Sequence, residues 1–303
     1  MSHAILFAFT IITGLYLFLD LGFFHKKARD LSFRQALWQS ILIILISAGF
    51  GVFVWYEKGI EAGIEYYSAY SMEYALSLDN VFVIMLILRY FSIPSSYHHR
   101  VLFWGILGAI MMRGIFIFAG VFLVKKFHFM LYLFGAFLIF VGLRSLFSRE
   151  KDPGDLSQNW LVRYMTQRLR FTTEMRGGRF ILRIDGKKYF TPLMLALLLI
   201  EFTDLLFAVD SIPAAFAITQ DEEILFSSNI FAVMGLRSLF FLLAAGVRRF
   251  WALELGIPII LIGIGFKMFQ DVIGLSIPTW YSLVFIVGVL SLSVGGSLIF
   301  RRP

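Results

Sequence analysis

The residues from Pro192 to Ala217 read PLMLALLLIEFTDLLFAVDSIPAAFA, an apolar run interrupted by three acids. As an α-helix this run is about 39 Å long, which is more than the roughly 30 Å needed to cross the hydrocarbon core of a bilayer. A charged side chain inside that core is costly and in most cases serves a function. The run therefore predicts a transmembrane helix in which Glu201, Asp204 and Asp210 are functional residues.

Similar apolar runs extend over the rest of the chain. The composition is 59% hydrophobic and 16% charged, with a mean hydropathy of +0.81, which is too apolar for the surface of a soluble protein of 303 residues. We expect one polytopic domain over residues 1–303, all-α and embedded in the membrane. Its nine predicted spans are residues 4–24, 36–56, 67–89, 101–124, 129–148, 192–217, 226–247, 252–271 and 280–300.

The lysines and arginines predict the orientation of these spans. With the N-terminus outside, 21 of the 27 basic residues fall in segments or termini on the inner side, and only Lys58, Lys125 and Lys126 fall outside. Short cytoplasmic loops are enriched in lysine and arginine. We therefore expect a multi-pass membrane protein with the N-terminus outside and the C-terminus in the cytoplasm. The net charge of +7 then indicates contact with anionic lipids rather than nucleic acid.

Two of the spans carry the same arrangement of acids. The third span reads EYALSLDNV from Glu73 to Val81, and the sixth reads DLLFAVDSI from Asp204 to Ile212. Each places two acids six positions apart, followed by a residue with an amide or a hydroxyl group. This similarity indicates an internal duplication.

The duplication predicts two three-helix units, residues 67–148 and 192–271, joined by a loop at 149–190. The span that follows each acid motif contains one arginine, Arg113 or Arg237. Because three spans are an odd number, the second unit is expected to cross the membrane inverted. Inverted repeats of this kind place the binding sites of many secondary transporters near the midplane.

The long loop contains two recognisable patterns. Residues 159–171 mix aromatic and aliphatic residues with arginines, which suits an amphipathic helix at the lipid surface. Further on, Asp185 and Gly186 separate two strand-like runs at 179–184 and 187–191, a pattern typical of a β-hairpin. A plain basic linker remains the alternative for the whole loop.

The polar side chains inside the spans predict a cation site made of oxygen atoms. The chain has no cysteine, and its five histidines lie at a terminus or in predicted loops and interfaces. A site without sulfur or imidazole disfavours copper and zinc and favours manganese, magnesium or calcium. The candidate ligands are Glu73, Asp79, Asn80, Glu201, Asp204, Asp210 and Ser211, with Ser77 and Thr203 nearby.

The helix geometry limits how these acids can cooperate. Residues six apart on a continuous helix are about 120° apart around its axis, so the two acids of one motif cannot share one ion. Pro213 removes the amide that would bond the carbonyl of Val209. A break or bend there would bring the two acids of the sixth span closer together, although an ordinary kink is the alternative.

Five carboxylates in one bundle also require positive charge. We expect Arg113 and Arg237 to supply charge balance rather than to bind the metal, since a guanidinium has no acceptor for a cation. Lys267 is a third basic residue within the predicted spans. A purely structural network of ion pairs is the alternative to a metal site.

These motifs resemble those of the TerC family of integral membrane proteins. The resemblance rests on Glu73, Asp79 and Asn80 of the third span, on the acids of the sixth span followed by Ser211-Ile-Pro213-Ala, and on the Tyr189-Phe-Thr-Pro192-Leu context. It covers nearly the whole chain. It implies a location in the bacterial inner membrane, manganese homeostasis by export, essential roles for the acids, and kinship with the LysE transporter superfamily.

The function that we expect is export of Mn²⁺ from the cytoplasm, with proton entry as a plausible driving reaction. The alternative is a membrane-embedded factor for metal delivery or protein assembly that acts through its cytoplasmic loop, with other membrane proteins or a second copy as partners. An enzyme is disfavoured because no nucleophile with a neighbouring base accompanies the acids.

The sequence predicts that Asp79→Asn and Asp210→Asn each abolish metal transport while the protein still inserts into the membrane. Asparagine keeps the volume and one acceptor oxygen but loses the charge. Metal flux and membrane insertion should be measured for both variants. Transport at the wild-type rate in both would assign these carboxylates a structural role.

Overall fold

The computed structural model describes residues 3–23, 33–127, 129–147, 170–172, 174–175, 177–184, 186–244, 252–273 and 277–299. Some side chains within these ranges, including those of Asp79 and Asp210, lie outside the described part. The elements are the helices α1 (His3–Phe23), α2 (Phe33–Lys58), α3 (Ile60–Tyr90), α4 (Ser95–Lys126) and α5 (Met130–Phe147), the strands β1 (Ile181–Ile184) and β2 (Lys187–Phe190), and the helices α6 (Pro192–Ile218), α7 (Glu222–Ala244), α8 (Leu253–Lys267), α9 (Gln270–Ile273) and α10 (Thr279–Ile299).

Every predicted span coincides with a helix, which confirms an all-α membrane protein. Within the described ranges, seven helices are long and apolar enough to cross a bilayer: α2 to α7 and α10. The apolar stretches Ile5–Tyr16 and Leu255–Lys267 are shorter. Nine crossings in total therefore stay a prediction.

Several contacts between helix ends define one face of the bundle, which we call the Lys58 face. Lys58 at the end of α2 pairs with Asp221, and Lys125 at the end of α4 pairs with Glu222 at the start of α7. The only residue between α2 and α3 is Gly59, whose φ of 94° favours glycine. The ends of α2 and α4 and the starts of α3 and α7 thus lie together.

The β-hairpin defines the opposite face, which we call the hairpin face. The two strands pair antiparallel with Ile184 opposite Lys187, which confirms the predicted hairpin. The turn residue Gly186 has a φ of 75°, although its neighbour Asp185 lies outside the described residues. The predicted amphipathic helix at 159–171 also lies outside them, except at its last two positions.

The hairpin packs against the start of α4, whose other end lies at the Lys58 face. The guanidinium of Arg100 lies 5.8 Å from the ring centroid of Phe180, and the backbone amide of Thr191 donates to the carbonyl of Phe180. The ring of His98 in α4 contacts Phe240 near the end of α7 edge-on. Both α4 and α7 therefore run between the two faces, in opposite directions.

Part of the helix contacts is unchanged when the two predicted units are exchanged. The helix α3 packs against α6 and α7, α4 packs against the same two helices, and α5 packs against α8. Exchanging α3 with α6, α4 with α7 and α5 with α8 reproduces these contacts. The exchange does not reproduce the packing of α6 against α5 and α8, and it does not cover α2 or α10. The pattern agrees with an inverted duplication, which itself stays a prediction.

Glycines allow α5 and α8 to approach closely. A Cβ atom added at Gly135 would lie 3.0 Å from the carbonyl oxygen of Gly265, and one added at Gly265 would lie 2.9 Å from that of Gly135. Small residues commonly mark such close helix contacts in membranes. These two helices hold the third members of the two units together.

The acid-bearing helices are continuous, contrary to a break at Pro213. The helix α6 runs through Pro213 to Ile218, and α3 runs without interruption from Ile60 to Tyr90. A proline can be retained inside a transmembrane helix where neighbouring groups satisfy the freed carbonyl. The acids of each motif therefore lie about 120° apart around their helix.

The arrangement of helix ends predicts the outcome of single-cysteine labelling, for which the absence of native cysteine is convenient. Cysteine at Gln220 should react with an impermeant thiol reagent from one side of the membrane, and cysteine at Lys187 from the other. Cysteine at Lys125 should behave like that at Gln220. Reaction of Gln220 and Lys187 variants from the same side would contradict this topology.

Candidate metal-binding site

Arg113 connects four helices in the centre of the bundle. Its Nη1 atom donates to Glu73 Oε2 of α3 at 2.7 Å and to Asn229 Oδ1 of α7 at 2.9 Å. Its Nη2 atom donates to Asp204 Oδ1 of α6 at 3.3 Å. The amide of Asn80 donates to the same Asp204 oxygen at 3.3 Å. A single guanidinium on α4 thus holds side chains from α3, α6 and α7.

All five of these side chains are buried. Arg113 is 1% exposed and Glu73 is fully buried, while Asp204 retains slight exposure at 8%. Two carboxylates against one guanidinium leave a formal charge of −1 at this point of the bundle. Buried charges require close partners because desolvation costs several kcal/mol per ion. The excess negative charge makes the cluster suitable for a cation.

Several polar atoms around the cluster have no hydrogen-bond partner within the described part of the chain. They are Glu73 Oε1, Ser77 Oγ, Ser211 Oγ and Asn229 Nδ2. The Ser211 hydroxyl also approaches the Glu73 carboxyl. An unsatisfied buried polar atom costs about 1–3 kcal/mol, so a ligand that satisfies the oxygens is favoured. Carboxylate and hydroxyl oxygens suit hard divalent cations.

Glu201 lies about one turn of α6 before Asp204, against α4. Its carboxyl group occupies the space beside Gly108, where any Cβ atom would overlap it. Glu201 is half-buried, unlike Glu73. It lies closer than Asp204 to the start of α6 and thus to the hairpin face. The site therefore extends from the central cluster towards that face.

A small cavity adjoins the cluster between α3, α4, α6 and α7. Asn80 and Asp204 line it, and its volume of about 20 Å³ has room for about one water molecule. Its other lining residues include Ile84, Leu102 and Leu236, each of which is nearer the hairpin face. The cavity therefore extends from the cluster towards the hairpin face.

Aromatic side chains close the other side of the cluster. Tyr66 and Tyr70 lie one turn apart on α3, with parallel rings whose centroids are 6.3 Å apart. Tyr66 also contacts Phe50 of α2, and its hydroxyl lies 2.8 Å from the hydroxyl of Ser47. Phe231 of α7 packs on Phe50 in turn. This aromatic cluster lies between Glu73 and the Lys58 face.

The structure brings together only part of the predicted ligand set. Glu73, Asp204 and Asn80 lie in one cluster, with Ser211 beside it, and Glu201 lies next to it along α6. The side chains of Asp79 and Asp210 lie outside the described residues. Among the described side chains, no group of three acids or histidines converges on one point, because Arg113 lies between Glu73 and Asp204.

The three basic residues within the predicted spans have different surroundings. Arg113 pairs with Glu73 and Asp204, and Arg237 is also buried, on α7. Charge balance by these two arginines stays a prediction. Lys267 does not lie beside the central acids. Its electrostatic partner is Glu65, near the Lys58 face. Lys267 lies in the last turn of α8, which explains its distance from the central acids.

Asn229 is the residue of the site that the sequence analysis missed. It is fully buried on α7 and binds Arg113 through its side-chain oxygen. An amide eight positions before Arg237 in an otherwise apolar span was the available signal. Only the packing of α7 against α4 shows that this amide serves Arg113.

The chain is similar to known bacterial membrane proteins. The family model described as integral membrane protein TerC family matches residues 58–303. An uncharacterized membrane protein of Rickettsia felis is 42% identical over 97% of both chains. A Salmonella typhi protein, named Alx and described as a proposed membrane-bound redox modulator, is 38% identical over 94% of this chain and 91% of its own length. No solved structure matches.

The central ion pairs predict a large loss of stability when Arg113 is removed. Arg113→Met should cost about 3–5 kcal/mol, because it leaves Glu73 and Asp204 buried without their counter-charge. Thermal unfolding in detergent measures this loss, and the exposed Arg89→Met variant is the matched control. Adding Glu73→Gln to Arg113→Met should recover part of the loss. Unfolding of Arg113→Met at the wild-type temperature would contradict the assignment.

Proposed function

The chain belongs to the TerC family of integral membrane proteins, and we propose that it exports a divalent metal ion, most readily Mn²⁺, from the cytoplasm. The observation that supports this proposal is the central cluster. Glu73 and Asp204 lie buried with excess negative charge, and Glu73 Oε1 and Ser211 Oγ lack partners among the described residues.

The donor atoms favour a hard ion over a soft one. Glu73, Asp204, Asn80 and Ser211 offer only oxygen as a ligand, and the chain has no cysteine that could supply a thiolate. Ions of the Mn²⁺, Mg²⁺ and Ca²⁺ class suit such oxygen donors, whereas copper and zinc favour sites with sulfur or imidazole. Within that class, the family resemblance favours manganese.

The shape of the bundle supports loading from the cytoplasm. The cavity beside Asp204 extends towards the hairpin face, and the distribution of lysine and arginine predicts that this face is cytoplasmic. The aromatic cluster around Tyr66 closes the opposite side. We assign the arrangement to the state that receives an ion from the cytoplasm, in the inner membrane of a bacterium.

Arg113 gives the empty site its own counter-ion. An incoming metal ion must take Glu73 or Asp204 from the guanidinium, because both carboxylates are held by it. The competition weakens metal binding, which suits a protein that must release its cargo. After release, the carboxylates return to Arg113 or accept protons. Exchange of metal for protons is therefore part of the proposal.

The alternative is a factor for metal delivery or membrane-protein assembly that acts through the loop at 149–190. The hairpin supports it, because Arg183, Lys187 and Lys188 form an exposed basic surface there. Deleting residues 155–185, which removes the first strand of the hairpin, should abolish such a role while leaving transport intact. The Alx relatives are described as membrane-bound redox modulators, and this chain has no cysteine that could support such a role through its own thiols.

Mn²⁺ flux in proteoliposomes tests the transport proposal. Glu73→Gln and Asp204→Asn should each reduce the flux at least about tenfold, since the loss of one buried charge interaction exceeds 1.4 kcal/mol. Glu61→Gln removes an exposed acid of α3 and is the matched control. Competition by Mg²⁺, Ca²⁺, Zn²⁺ and Fe²⁺ ranks the metals. Wild-type protein without Mn²⁺ flux would overturn the proposal.

A further inference from the structure

A second group of carboxylates surrounds a lysine at the Lys58 face. The Nζ atom of Lys58 lies 2.5 Å from Asp221 Oδ2 and 2.6 Å from Glu223 Oε2. The lysine comes from the end of α2, whereas the two acids come from the start of α7. The two carboxylates thus converge on one cation, the ammonium group of Lys58.

Glu223 differs from an ordinary surface partner of a lysine. Its side chain is only 6% exposed, and its Oε1 atom has no hydrogen-bond partner among the described residues. Lys125 and Glu222, on the same face, form a pair in which both side chains are well exposed. A buried carboxylate with an unused oxygen costs free energy unless a further cation or donor satisfies it.

The backbone holds Asp221 in place without Lys58. Asp221 Oδ1 accepts the backbone amides of Glu223 and Ile224, which caps the start of α7 and leaves Oδ2 free to bind a cation. Glu65 of α3 accepts the hydroxyl of Thr219 at 2.6 Å nearby. The position of the Asp221 carboxylate therefore does not depend on the lysine.

We propose that Asp221 and Glu223 form a second divalent-cation site, through which metal leaves the bundle, and that Lys58 occupies it as a tethered competitor. The proposal rests on the proposed function. It also adds to it, because the site lies beyond the aromatic cluster on the path outward from Glu73. Metal arriving from within displaces the ammonium group, and the returning ammonium group then expels the metal.

The ammonium group explains why such a site would release its ion. Two carboxylates and no competing cation would retain Mn²⁺ from the external solution and hinder release. With Lys58 in place, the net charge of the three groups is −1, and bound metal must compete with a neighbour that cannot diffuse away. Competition from Lys58 therefore makes metal binding at this site transient.

Counting bound Mn²⁺ on purified protein tests the proposal. The free Mn²⁺ signal in electron paramagnetic resonance gives the number of ions bound per chain. Lys58→Gln should bind one more ion than wild type, and Glu223→Gln in that background should remove the extra ion. Lys125→Gln is the matched control and should bind as wild type does. Lys58→Arg keeps the charge and should also add no ion.

The native chain provides a second measurement that does not depend on the folding of any variant. At Mn²⁺ concentrations well above those of the ion-counting experiment, which let the metal compete with the ammonium group, Mn²⁺ should speed acylation of Lys58 by an amine reagent at least about threefold relative to Lys125, measured by mass spectrometry, because displaced ammonium is accessible. Unchanged binding in Lys58→Gln or an unchanged acylation ratio would overturn the proposal.

The outcome separates this site from the central one. In Lys58→Gln combined with Glu73→Gln, the additional ion should remain while binding at the centre is lost. If the proposed transport function fails, the gain of one ion on removing Lys58 is still measurable. If only the second site fails, Mn²⁺ flux persists and the gain does not appear.

Discussion

The guanidinium of Arg113 is the group on which the rest of the bundle depends. It is buried among four helices and binds Glu73, Asp204 and Asn229 at once. In low dielectric, no one of these groups can be removed without leaving another unpaired. The same contacts fix the rotation of α3, α6 and α7 about their axes. Structural integrity and the candidate metal site therefore rest on the same few atoms.

Carboxylates and their basic partners lie at two levels between the hairpin face and the Lys58 face. On the hairpin side of the cluster a small cavity adjoins Asp204, and Glu73 lies further from the hairpin face, about one turn of α3 from Tyr70. Past the rings of Tyr66 and Tyr70 lies the Lys58 face, where Asp221 and Glu223 hold a lysine. At both levels a basic side chain occupies the carboxylates. A cation crossing this bundle would thus replace one internal counter-ion after another.

Local patterns in the sequence gave the most reliable predictions of the structure. The Asp185-Gly186 pair predicted a hairpin, and the pairing of Ile184 with Lys187 confirmed it, because a two-residue turn is determined by the residues within it. The effect of Pro213 was harder to predict, since neighbouring helices decide whether a proline interrupts a helix. Lys267 was grouped with the central basic residues, although its partner is Glu65 at the Lys58 face.

The sequence by itself determined that this is a helical membrane protein with buried acids, oxygen donors and an asymmetric distribution of basic residues. These properties follow from length, apolarity and residue type, which are local along the chain. Only the tertiary structure decided that Arg113 joins Glu73 to Asp204, that Asn229 belongs to the site, and that Lys58 reaches Glu223. Such contacts link residues that are far apart in the chain, for example by 163 positions for Lys58 and Asp221. They depend on helix rotation and depth, which packing sets and periodicity alone does not.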